Sequence, residues 1–176
     1  MAMTKLTAVR HAKVAVDGLC YGRSVVPLTR NAAGAAARMI RAGGPKLDSI
    51  WSSPAPRCAE PAALWAIAVD TSHHIDARLW ELAYGDWDGV LWDDIPRESL
   101  DYWAEDWIHR APPHGESAKD VESRVRAWVS ALPHGHHGLS AHAGVIKALH
   151  VVVRGLAWED AMRCATPHLE PIEFSW

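Results

Sequence analysis

No run of about 18 consecutive apolar residues occurs anywhere in the 176-residue chain, which argues against a membrane-spanning helix. Cysteine is scarce as well. Cys20, Cys58 and Cys164 are odd in number, far apart and without any Cys-x-x-Cys spacing. That disfavours a disulfide framework or a structural zinc site and favours a reducing compartment. The opening MAMTKLTAVRH meets charge before an apolar stretch can build, unlike a secretory leader. A large excess of one charge is also missing. The net charge of -3 offers no general attraction to nucleic acid or an anionic membrane surface, so any anion site has to be local. The sequence predicts a cytoplasmic protein with neither partner, and no carboxylate-rich pattern suggests a metal.

What is present is ordinary globular material, 49% hydrophobic and 22% charged, enough at this length for one domain over residues 1–176 with a real core. Leu6 to Val9 read as a buried strand. TRNAAGAAARMIRAGG reads as a helix with a Thr29 cap and a Gly-Gly stop. LDSIWSS follows as a strand, and Pro54 opens a helix to about Ala66. SHHID, HGLSAHAG and LEPIEFSW are weaker strands. ESAKDVESRVRAWVSAL spaces Val121, Val125, Trp128, Val129 and Leu132 as one helix face, capped by Ser117, and GVIKALHVVVRG is a further helix. Strands alternating with helices predict an α/β fold, a mostly parallel central sheet with helices on both faces.

Residues 83–116 depart from this pattern. They carry Trp87, Trp92, Trp103 and Trp107 among acids and prolines. This excursion either packs onto the body through its indoles or forms a lid or substrate wall. An exposed Trp patch there would also suit a homodimer.

Open parallel sheets bind ligands at the carboxyl ends of their strands. Arg10-His11 follows the first strand, SSPAPRC puts Arg57 about one turn into a helix, and SAHAGV carries His142 and Ala143 into a helix N-terminus. Two guanidiniums, two imidazoles and free backbone N–H groups on one edge make a cationic pocket suited to phosphate. PHGHHG at 133–138 lacks acidic partners and regular spacing, so its histidines read as solvated residues.

Taken in order, VRHA, GLCYGRSVVPLT, SSPAPRC, LWELAYGDWDG, PPHGES and AHAGVIKAL resemble the histidine phosphatase superfamily, in the branch that contains the phosphoglycerate mutases. GLCYGRSVVPLT is similar to the small bacterial alpha-ribazole phosphatase type. The resemblance implies a phosphoglycerate mutase-like fold and a metal-independent, cofactor-free phosphomonoesterase for a small phosphate ester. His11 would be the nucleophile. Arg10, Arg57, His142 and the N–H of Ala143 would bind the phosphoryl group. Glu81 would protonate the leaving alkoxide, with Glu116 as the alternative donor. Arg23 is an outer candidate for substrate contact.

The sequence departs from the family pattern at Ala12, Val14, Asp17 and Val25. An acid near bound phosphate would repel it, so Asp17 is expected to point away. Alternatives are a mutase, a protein phosphohistidine phosphatase, and a phosphate- or partner-binding module without turnover.

Overall fold

The computed structural model describes residues 3–44 and 46–176. The first two residues of the stretch read as leaderless lie outside them. Five strands form one sheet: β1 (Lys5–Arg10), β2 (Ser49–Ser52), β3 (Ser72–Ile75), β4 (His136–Ala141) and β5 (Pro171–Ser175), in the order β3-β2-β4-β1-β5. The first four are mutually parallel, and β5 closes the edge antiparallel to β1. Alternation along β1 decides what each face buries. Leu6 and Ala8 join Leu139, Ala141 and the apolar stripes of α4 (Ala118–Ala131) and α5 (Ala143–Arg154). Val9 joins Ile50 with Met39 of α1 (Ala32–Gly43) and Trp65 of α2 (Pro56–Ala68) on the opposite side. A period of two on the strands against 3.6 on the helices produces this two-sided core.

β4 arrives late in the chain yet sits between β1 and β2. Its register matches Arg10 with Ala141 and Ser52 with Ser140, so the carboxyl ends of three strands finish level on one edge. Those ends carry Arg10-His11, Ser53 to Arg57, and His142-Ala143.

Local boundaries differ from expectation in physically traceable ways. Asn31, not Thr29, caps α1, its side chain accepting from the N–H of Gly34 at 2.8 Å. Thr29 is engaged elsewhere, its hydroxyl donating to the Lys13 carbonyl. Helix α2 opens at Pro56 rather than Pro54, which places Arg57 in the first turn. Ser117 caps α4 in a reciprocal box with Asp120. Within 83–116 the chain is partly helical: 3-10 turns at Gly85–Trp87 and Trp92–Asp94, then α3 (Arg97–Glu105). A sixth helix, α6 (Trp158–Arg163), follows α5. Trp87 packs in a small cluster with Cys20 and Ile95, and Trp107 packs against the main core.

Candidate active site

His11 sits just past β1, its backbone N–H donating to the Ala141 carbonyl. The residue is 2% exposed. Nδ1 lies 2.7 Å from the Ala12 carbonyl. A carbonyl can only accept, so the proton is on Nδ1 and Nε2 keeps its lone pair. Burial lowers the pKa to about 3, with Arg57 and Arg10 adding repulsion against a charged ring. The imidazole is therefore neutral at physiological pH, with one nitrogen committed to the backbone and the other available.

The pocket holding His11, about 220 Å³, is lined by Arg10, Glu81 and Ala143 among the expected residues, with Leu19, Tyr21, Tyr84 and Trp92 around them. Arg10 donates through Nη1 to the Thr166 carbonyl. Arg57 is almost fully buried and donates to the carbonyls of Ser24 (2.9 Å) and Gly22 (2.6 Å), with its guanidinium over the Tyr21 ring. The Nε atoms of both arginines are buried and make no hydrogen bond within the protein, which suits an anionic ligand. His142, fully buried, lies edge-on with its ring centroid 5.3 Å from that of His11, and its Nε2 is 2.7 Å from Ser53 Oγ. Burial first, then the arginine charges and His11, push its pKa well down, so it too is neutral and offers a single ring N–H.

Glu81 accepts from the N–H of Leu82 (3.0 Å) and of Gly144 in the first turn of α5 (3.2 Å). Only glycine allows this approach, because a Cβ at position 144 would lie 2.2 Å from Glu81 Oε1. Glu116 is differently placed. It pairs with Arg124 and Arg23 and accepts from the Ala83 N–H. Arg23 is thus drawn to Glu116 and is absent from the lining of the His11 pocket. Asp17 and Val25 are exposed, and Val14 is buried against Leu28.

Several contributing residues escaped the sequence reading. His168 donates from Nδ1 to the His11 carbonyl at 2.7 Å, a contact spanning 157 positions that no local pattern announces. Arg124 holds the Glu81 carbonyl from a helix whose apolar face was the legible one. The histidines of 133–138 point apart, to the hydroxyls of Thr4, Thr7 and Ser49.

A second cavity of about 200 Å³ adjoins the first through Glu81, Tyr84 and Ala143 and is walled by Trp103, Trp107, Trp158 and Leu82. A larger hollow of about 820 Å³ is lined by residues of α3 together with Trp87, Ala111 and Pro113 and holds none of the site residues. Among the described residues no helix is long and apolar enough to cross a membrane.

The sequence profile of the histidine phosphatase superfamily (branch 1) matches residues 6–174. A Hydrogenobacter thermophilus protein that bears the name of a phosphoserine phosphatase is 27% identical over 169 residues, 90% of this chain and 82% of its own length. A 2,3-bisphosphoglycerate-dependent phosphoglycerate mutase of Methylobacterium is 32% identical over 141 residues, 71% of this chain and 66% of its own. The alpha-ribazole phosphatase of Shigella flexneri superposes with a TM-score of 0.86 at 24% identity, covering 97% of this chain and 89% of that one. With nearly its whole length matched by one profile, the chain belongs to the histidine phosphatase superfamily, branch 1, and is a phosphatase of the histidine type.

Proposed function

We propose that the protein hydrolyses a phosphomonoester of a small metabolite through a phosphohistidine at His11. The observation that carries this reading is the neutral His11 ring with Nδ1 fixed on the Ala12 carbonyl and Nε2 free. In the first step Nε2 attacks phosphorus and the bond to the ester oxygen breaks. Glu81, as the carboxylic acid, gives its proton to the departing alkoxide. In the second step Glu81, now a carboxylate, takes a proton from water as that water attacks the phosphohistidine. Phosphate leaves, and His11 is restored. Arg10, Arg57, His142 and the Ala143 N–H bind the phosphoryl oxygens. Their fixed donors oppose the charge that develops in flight. Glu81 rather than Glu116 is assigned the proton because Glu81 lines the His11 pocket, whereas Glu116 lies outside that lining and is engaged by Arg23, Arg124 and the Ala83 N–H. That arrangement suits it to positioning the 81–83 segment.

The ester we favour is alpha-ribazole 5'-phosphate or a similar alcohol bearing a flat apolar ring. The resemblance of GLCYGRSVVPLT supports it, and so does the indole-walled cavity continuing from Glu81. Free cysteines support a reducing cytoplasmic setting. A second reading, transfer to another hydroxyl of a phosphoglycerate, is favoured by the Methylobacterium relative.

The deciding experiment is hydrolysis of p-nitrophenyl phosphate in EDTA from pH 5 to 8 by the wild type and His11→Ala. We expect chelator-resistant turnover that falls about 10⁴-fold or more in the variant with an unchanged circular dichroism spectrum. Near-normal activity in a folded His11→Ala protein would remove His11 from the chemistry. Phosphate released from no ester, but exchanged between 2- and 3-phosphoglycerate, would favour the mutase.

A further inference from the structure

Arg57 is gripped by the loop at residues 22–24, and that loop is itself organised by a carboxylate outside the pocket. Asp88 Oδ2 accepts from the N–H of Arg23 (2.8 Å), and Oδ1 accepts from the N–H groups of Gly22 and Ser24 (3.2 Å each) and from the Ser24 hydroxyl (2.5 Å). Three successive amides converging on one anion form a nest. The peptide unit between Gly22 and Arg23 is used from both ends. Its N–H points to Asp88, and its C=O accepts from Arg57 Nη2 at 2.6 Å. In a planar trans peptide these two groups point opposite ways, so orienting the N–H on Asp88 aims the carbonyl at Arg57. Polarisation along the chain strengthens both bonds. A backbone ribbon keeps Asp88 against the loop: Cys20 donates to the Val90 carbonyl, Gly89 to that of Cys20, and Trp92 to that of Gly18.

We propose that Asp88 is a positioning residue that sets the guanidinium of Arg57 for the phosphoryl group by way of the 22–24 loop. The inference rests on the reading of Arg57 as a phosphate ligand. Asp88 lies seven residues beyond Glu81 in the same segment, so a single stretch of chain carries the proposed proton donor and anchors the anion clamp. Gly22 belongs to the same construction, since a Cβ there would lie 2.0 Å from the Leu82 carbonyl.

The test is competitive inhibition by inorganic phosphate, measured for the wild type, Asp88→Asn, Arg57→Ala and the double variant. The amide of Asn brings donors to face three N–H groups, so we expect Asp88→Asn to raise the phosphate inhibition constant about 10-fold. The double variant should bind phosphate no more weakly than Arg57→Ala alone, because the route through Arg57 is already gone. Additive losses would overturn the proposal, as would an unchanged inhibition constant in folded Asp88→Asn where Arg57→Ala weakens binding. If Arg57→Ala itself leaves phosphate affinity unchanged, the phosphate-ligand reading of Arg57 fails, and this inference with it. Should Asp88→Asn not fold, Ser24→Ala removes one of the four contacts. In the same cycle it should give a smaller rise that also vanishes in the Arg57→Ala background, and additivity there counts equally against the proposal.

Discussion

Glu81 illustrates what one side chain owes to its immediate neighbours. Its carboxyl is seated by two backbone N–H groups and by the missing Cβ of Gly144, and Arg124 holds its carbonyl. If Glu81 delivers the proton, Glu81→Gln should slow alkyl phosphates about 10² to 10⁴-fold and aryl phosphates much less, because a phenolate leaves with little protonation. Gly144→Ala should reproduce that pattern in weaker form by displacing the carboxyl. Rates across a series of leaving groups would decide, and an equal loss on all of them would move the acid elsewhere. At this scale the sequence marked the candidates. Arg10, His11, Arg57, Glu81 and His142 lie in recognisable stretches. The tautomer of His11, set by the Ala12 carbonyl, and the bond from His168 were not legible, because both depend on three-dimensional orientation.

Among the elements, the Trp-rich stretch both packs and lines cavities. Trp87 and Trp107 pack it to the body, while Trp92 lines the His11 pocket and Trp103 and Trp107 wall the adjoining cavity. Helix α3 is only faintly marked in the sequence, because its apolar face is short: Leu100 and Trp103 pack against the Trp87 cluster and none of its residues is fully buried. If the indole wall seats a ring on the leaving alcohol, the wild type should prefer 2-(1-naphthyl)ethyl phosphate to ethyl phosphate in kcat/KM. Trp107→Ala should then cut that preference about 10-fold, the effect of losing roughly 1.5 kcal/mol of apolar contact. A preference that is absent in the wild type, or unaltered by the variant, would assign the cavity no part in substrate choice.

Across the whole molecule, the site imposes a pH cost. His11 is held near 3 and His142 well below its usual value, both chiefly by burial, while in the unfolded chain each titrates near 6.5. Below pH 6.5 the unfolded state therefore binds protons that the native state refuses, and stability falls as pH drops toward 3. Above 6.5 both states are neutral at these rings and the penalty disappears. Denaturant unfolding at pH 7.5 and 5 should show the wild type losing stability, and His11→Gln should lose about 2 kcal/mol less over that interval. An identical acid loss in both proteins would show that His11 is not the group being refused a proton.

The sequence by itself determined the alternation of strands and helices, the two-sided apolar pattern of β1, and the charged residues that follow three strands. These are local properties, written in periodicity and in short motifs. Only the tertiary structure decided that β4 inserts between β1 and β2, which levels those three ends and brings the separate motifs to one sheet edge as a candidate site. It also decided that Asp88 grips the loop that holds Arg57 and that Glu116 is occupied by two arginines. Such choices rest on contacts between residues tens of positions apart. Their geometry comes from how the sheet and its covering helices pack, and no single stretch of sequence contains it.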